Sequence, residues 1–334
     1  MMQFSIFYCL ILPVLVLGSC KPGKSRYDVD VSRIRIEEIR INRYDRALFS
    51  VNRTQLKNEL EKLQPRFPMF LAGELNDSNN LHQILNYLED TLIQRTFVDT
   101  EKKFGNISHI ENELTNAFAH LLFYYPSDII PHIYTYISGF DYENPIIFED
   151  NYMLIAIDMY LGTDYPRYRN LGLPEYILHE FNPGYLVSDC MLKLAEAKIG
   201  NRKTGKNLLD LMISEGKKIL FCKAMSPKMP DSVMLHYSTE HMDWITEHEA
   251  EVWAFVIENK MLYSQDVQHI KKLIGKSPFT AYFGSGSPPR LGIYLGWRIV
   301  SIFMENNPEV TLSEIMNNYD AQQILNNSGY KPGI

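Results

Sequence analysis

Charge is missing where an export signal or a membrane anchor usually carries it: residues 1 to 19 contain no lysine, arginine, aspartate or glutamate. No later run matches the apolar stretch Phe4 to Leu17, so nothing downstream reads as the roughly 20 apolar residues that a membrane-spanning helix needs. Cysteine is scarce, with Cys9, Cys20, Cys190 and Cys222 only, and no two sit at the spacing of a thiolate zinc site. No Gly-x-Ser-x-Gly elbow occurs, and no histidine neighbours Cys190 or Cys222, so nucleophilic catalysis has no support. A basic excess is also absent. The formal charge of -7 excludes the electrostatic footprint of nucleic-acid binding and argues against adhesion to anionic lipid through side chains.

What is present begins with Phe4 to Leu17, followed by Leu17-Gly18-Ser19-Cys20. An apolar run too short to span, closed by two small residues and a cysteine, is the lipobox pattern. The small residues fit a peptidase cleft and the Cys20 thiol takes the acyl anchor, of the palmitate type, before cleavage. Residues 1–19 are therefore expected to be a lipoprotein signal peptide and residues 20–30 a short Pro- and Gly-containing tether. Residues 31–334 are expected to form a single globular domain. Lys21 and Pro22 follow the cysteine without a run of acids, which points to a periplasm-facing position on the inner or outer membrane. Cys190 and Cys222 remain as thiols; one disulfide and two buried free thiols both fit the sequence.

Periodicity then sets the fold class. The alternation over Ile34–Ile41 predicts a strand with one wet face. Three amphipathic helices follow, carrying Leu56, Leu60 and Leu63; then Leu81, Ile84, Leu85, Leu88 and Leu92; then Ile110, Leu114, Phe118 and Leu121 behind a Ser108–Glu111 capping box. Residues 129–157 change to a period of two, predicting two or three strands in a small antiparallel sheet that turns at Glu149-Asp150-Asn151. Tyr160 to Tyr176 shows no period. Further helices are expected from Asn182-Pro183 to about Gly200, from Thr204 to about Cys222, from Ser238 through Met261, from Ser264 to Gly275 and from Pro289 onward, with a capping box at Thr311 and Glu314. The class is mainly α with a small β-sheet (α+β).

Candidate chemistry is sparse. His179-Glu180 resembles the start of a zinc-peptidase motif, but the position four residues after His179 is Gly184, so the second ligand is missing. Glu240, His241, Glu247, His248, Glu249 and Glu251 share one helix, yet His241 and His248 are seven residues apart rather than three or four. Glu249 stands out because Met242, Ile245, Val252, Trp253 and Val256 place it inside the apolar stripe. A carboxylate there needs a partner or a cleft, and Arg290 or Arg298 are the partners expected. Gly284 to Pro289 with Arg290 could hold an anion at the start of a helix. Gly292 and Gly296, flanked by Tyr294 and Trp297, predict a close helix crossing. The candidate cleft or buried polar network is thus Glu249, Arg290, Arg298 and Trp297, with no metal and no cofactor.

Several stretches resemble the gliding motility-associated lipoprotein GldB family of Bacteroidetes: the lipobox at Cys20, RIRIEEIRINRYDRALF, YTYISGF, AIDMYLGTDYPRY, WITEHEAEVWAFVIENKMLYS and SPPRLGIYLGWRIV. The resemblance implies a membrane-attached envelope lipoprotein associated with gliding motility. It also implies a distant similarity to zinc-dependent peptidases, hence a degenerate zincin-like scaffold. Here the Pro183–Gly200 helix has no histidine, and Ser214-Glu215-Gly216 keeps only a Glu-Gly echo of the metal motif. The expectation is a non-enzymatic lipid-anchored protein that works through protein contacts in the envelope, with no nucleic-acid partner. The alternatives are a metal-dependent peptidase using His179, Glu215, His241 and Glu249, and an anion or cell-wall-fragment binder at Arg290.

Overall fold

The computed structural model describes residues 25–199, 205 and 207–333. Cys20, Lys21, Pro22, Gly200 and Thr204 lie outside the described residues. The protein is mainly α with a four-stranded mixed sheet, an α+β fold. Among the described residues no helix is long and apolar enough to cross a membrane.

Ile34–Ile41 opens on a bend and has no regular secondary structure, which corrects the strand expected from the sequence. Its side-chain alternation is real, with Ile39 and Ile41 buried and Glu38 and Arg40 exposed. What it lacks is a neighbouring strand. The Ile39 amide donates instead to Thr115 Oγ1 and the Ile41 amide to Glu111 Oε1, both at 2.9 Å. Glu111 is thereby withdrawn from the expected capping box, and the Ser108 amide is taken by Asn106 Oδ1.

Strand β1 (Asn42–Arg43) leads into α1 (Tyr44–Phe49), which had no sequence signal, and then α2 (Leu56–Leu63). The helix expected through Leu92 is two helices, α3 (Ser78–Glu89) and α4 (Thr91–Phe104). Asp90 divides them: extended itself, it accepts from the Leu92 and Ile93 amides and caps α4. Leu92 consequently leaves the apolar face and is exposed. Helix α5 (Ser108–Tyr124) is amphipathic as expected.

The sheet is formed by β1, β2 (His132–Tyr136), β3 (Ile146–Glu149) and β4 (Tyr152–Ala156), in the order β1-β2-β4-β3. Only β3 and β4 pair antiparallel, around a turn with Asp150 in the left-handed region; β1–β2 and β2–β4 are parallel, so the antiparallel expectation is corrected. The physical reason is coverage. Ile133, Met153 and Ile155 enter the larger core while Tyr134 enters a smaller one with Tyr44, Leu60, Phe67 and Leu88, and burial on both faces suits parallel pairing.

Short helices α6 (Pro166–Arg169) and α7 (Glu175–Leu178) occupy the segment without a period. The remaining helices are α8 (Leu186–Ile199), α9 (Leu208–Met225), α10 (Asp231–Leu235), α11 (Thr239–Glu258), α12 (Val267–Ile274), α13 (Leu291–Asn306), α14 (Leu312–Asn317) and α15 (Ala321–Ser328). Asn207 rather than Thr204 caps α9, and Asp266 rather than Ser264 caps α12. The Ser238 and Thr311 caps fall where the sequence puts them. Helices α9 and α13 cross at Gly216 and Gly296: a Cβ on Gly296 would overlap the Met212 carbonyl, and one on Gly216 the backbone of Gly296. Gly292 serves the same end against Leu273 of α12. Cys190 and Cys222 are free thiols, fully buried, and burial pushes both thiol pKa values up.

Candidate functional site

Two polar centres lie inside the helical half. The first surrounds Glu249, which α11 carries into the core beside Val252 and Val256. Its carboxylate accepts from Tyr294 Oη at 2.9 Å, Arg298 Nε at 3.0 Å and Tyr330 Oη at 2.8 Å. Three donors from α13 and the C-terminal segment therefore meet one carboxylate, which ties α11, α13 and Tyr330 together. Burial, then the Glu249 charge, pushes the Tyr294 and Tyr330 phenols upward. Trp297 packs edge-on to Tyr294, and its buried indole N–H has no hydrogen-bond partner among the described residues. Arg290 is not part of this group.

Arg290 belongs to the second centre, built around His236. That residue ends α10 in the left-handed conformation, with φ of 55°, which turns its ring inward. The side chain is only 8% exposed and stacks flat on Tyr185, with ring centroids 4.0 Å apart. Nδ1 donates to Glu180 Oε2 at 3.2 Å; Nε2 lies 3.0 Å from Asp189 Oδ1, a charge contact without the alignment of a hydrogen bond. The buried Tyr160 hydroxyl donates to the other Asp189 oxygen at 2.8 Å. Arg290 Nη2 reaches Glu180 Oε1 at 3.4 Å and the Leu235 carbonyl at 3.2 Å, and Lys276 Nζ lies 3.6 Å from Glu180.

Charge balance fixes the protonation of this centre. Burial alone would lower the His236 pKa, but Asp189 and Glu180 outweigh it and raise the imidazole to about 9. Burial would likewise raise Glu180, yet the hydrogen bond from His236 and the charges of Arg290, His236 and Lys276 hold it far below the usual carboxylate range. At neutral pH His236 is an imidazolium facing two carboxylates. Such a ring offers no lone pair to a metal and cannot act as a general base.

The centre forms a wall between cavities. One, of about 350 Å³, is lined by Tyr142, Glu143, Tyr160 and Asp189. Another, of about 390 Å³, is lined by Tyr176, His179, His241, Lys276, Ser277 and Arg290. A smaller one of about 120 Å³ includes Glu196, Glu215 and Lys218. The four ligands proposed for a peptidase are thus dispersed: His179 and His241 face one cavity, Glu215 another, and Glu249 sits in the other centre. Glu215 is ion-paired with Lys218 at 2.7 Å, and Lys218 also approaches Glu196 at 3.6 Å. Among the described residues no three His, Cys, Asp or Glu side chains are placed to hold a metal.

The glycine-rich loop turns its Ser287 end inward, while Gly284, Ser285 and Gly286 are exposed. Ser287 is fully buried, its amide donates to the Gly284 carbonyl, and Thr280 donates to the Pro288 carbonyl through both its amide and its hydroxyl. Sequence reasoning passed over His236, Asp189, Lys276 and the role of Glu180. Glu180 and His236 are 56 positions apart, with no spacing that ties them.

Fold and centres together define a mainly helical α+β protein whose buried charges are matched internally. The chain belongs to the lipoprotein family described as gliding motility protein GldB, whose model matches residues 24–332. No curated protein and no solved structure matches it.

Proposed function

We propose that this protein is exported behind a signal peptide, is anchored in the cell envelope through acylated Cys20, and serves gliding motility or a related envelope assembly through protein contacts rather than catalysis. Family membership over residues 24–332 supports the association with gliding, and the match begins just beyond the lipobox cysteine. The observation that carries the non-catalytic reading is the state of His236, whose two nitrogens face Glu180 and Asp189. Glu249 supports the same reading, since three donors already engage both its oxygens. Residues 20–30 carry the lipid link and residues 31–334 the working domain, with the end of the link already docked on that domain: Tyr27 is buried in the core and Arg26 donates to the Val310 carbonyl. Anchored so near the lipid, the domain meets partners at the membrane surface, facing the periplasm.

Metal analysis of the full chain in detergent, after mild chelation and zinc re-addition, tests the non-catalytic part. The expected result is no stoichiometric zinc and an unchanged melting curve. Retained zinc that raises the melting temperature would restore the metallopeptidase reading.

A further inference from the structure

The cavity of about 390 Å³ beside His236 is used by neither the anchor nor the internal pairing described above. Its lining brings together Arg290, Lys276 and the protonated His236 with Glu180, and Asp189 behind the His236 ring is the second carboxylate of the group, which leaves three cations facing two anions. Arg290 is held but not saturated: Nη2 contacts Glu180 and the Leu235 carbonyl, while among the described residues no hydrogen bond engages Nε or Nη1. Lys276 is 57% exposed and only loosely paired, at 3.6 Å, so its ammonium can swing across the opening. His179 and His241 also line the cavity, as do the aromatic rings of Tyr176 and Tyr185, the latter stacked on His236.

We propose that this cleft binds a small ligand bearing an oxyanion, carboxylate or phosphate. The oxyanion would lie between Arg290 and Lys276 and the rest of the ligand against the tyrosines. A guanidinium held by Glu180 through Nη2 keeps Nη1 and Nε as donors for an oxyanion, with Lys276 supplying a second charge, and the volume suits a ligand of modest size. The site shares Arg290 with the anion site expected from the sequence, but it uses side chains from four segments in place of the loop amides of Gly284–Ser287. Its surplus positive charge is local, and so is compatible with an acidic protein.

The test uses the full chain in non-ionic detergent, titrated with inorganic phosphate and separately with acetate at constant ionic strength set by chloride. Saturable stabilisation by phosphate alone assigns a phosphate ligand, and by acetate alone a carboxylate ligand. In either case Lys276→Glu should weaken the effect about tenfold or more, while the ligand-free melting temperature falls only slightly, since Glu180 keeps His236 and Arg290 as partners. His179→Ala, at an exposed position with no hydrogen bond, gives a second variant that keeps the fold and should bind more weakly. No stabilisation beyond chloride, or equal binding by Lys276→Glu, would overturn the proposal.

Discussion

Replacing His236 with asparagine removes the imidazolium while keeping a residue that tolerates the left-handed backbone at this position. The folded pKa of about 9 lies above the ordinary 6.5, so the stabilising contribution is complete below pH 6.5 and disappears as pH rises through 9. From those two values the linkage amounts to about 2–3 kcal/mol at pH 7 and less than about 0.5 kcal/mol at pH 9. Removing one member of a buried charge group also leaves Glu180 and Asp189 facing each other, at a cost of about 3–5 kcal/mol. Urea unfolding of the full chain in detergent, followed by tryptophan fluorescence between pH 5.5 and 9.5, reads both quantities. His236→Asn should be less stable at pH 7, and the gap between the two proteins should shrink by about 2 kcal/mol by pH 9. A gap that stays constant across this range would refute the claim that His236 is an imidazolium in the fold.

Other consequences are simpler to read. Gly216→Ala forces a Cβ into the Gly296 backbone and should cost about 3 kcal/mol or more by denaturant midpoint, whereas Gly286→Ala, with open space around it, should be nearly neutral. Glu249→Gln weakens three charge-assisted bonds and should cost about 1–3 kcal/mol, with a double-mutant cycle against Arg298 showing coupling. Glu111→Ala should free the Ile41 amide, which would then exchange with solvent faster than the Ile39 amide held by Thr115. Acid acts on Glu180 in the opposite sense to base on His236. Because Glu180 is held below the usual range, its contribution is present above the ordinary carboxylate pKa and is lost only as pH falls through the lowered value, so Glu180→Gln should flatten the acid limb of the stability profile.

Much of the helical half was legible because its signals are local. The caps at Ser238 and Thr311 and the glycine pair of α13 act within one or two turns, and each is found where the residues place it. Alternation over Ile34–Ile41 reported faithfully which side is buried but could not report a partner, and the partner proved to be the side chains of α5. The break at Asp90 was hidden because its apolar neighbours keep helical spacing through Leu92, while a single carboxylate capping two amides outweighs that pattern. Glu249 showed itself by sitting in an apolar stripe. His236 showed nothing, because its partners come from distant segments and its inward turn depends on one left-handed residue after α10.

Acylation of Cys20 is the step on which the proposed role in gliding depends. In a gliding host whose own copy is replaced by the Cys20→Ser variant, the protein should leave the membrane fraction while remaining folded, and colony spreading should be lost. Spreading at the level of the unaltered chain, with the variant still in the membrane fraction, would contradict a lipid-anchored role in gliding.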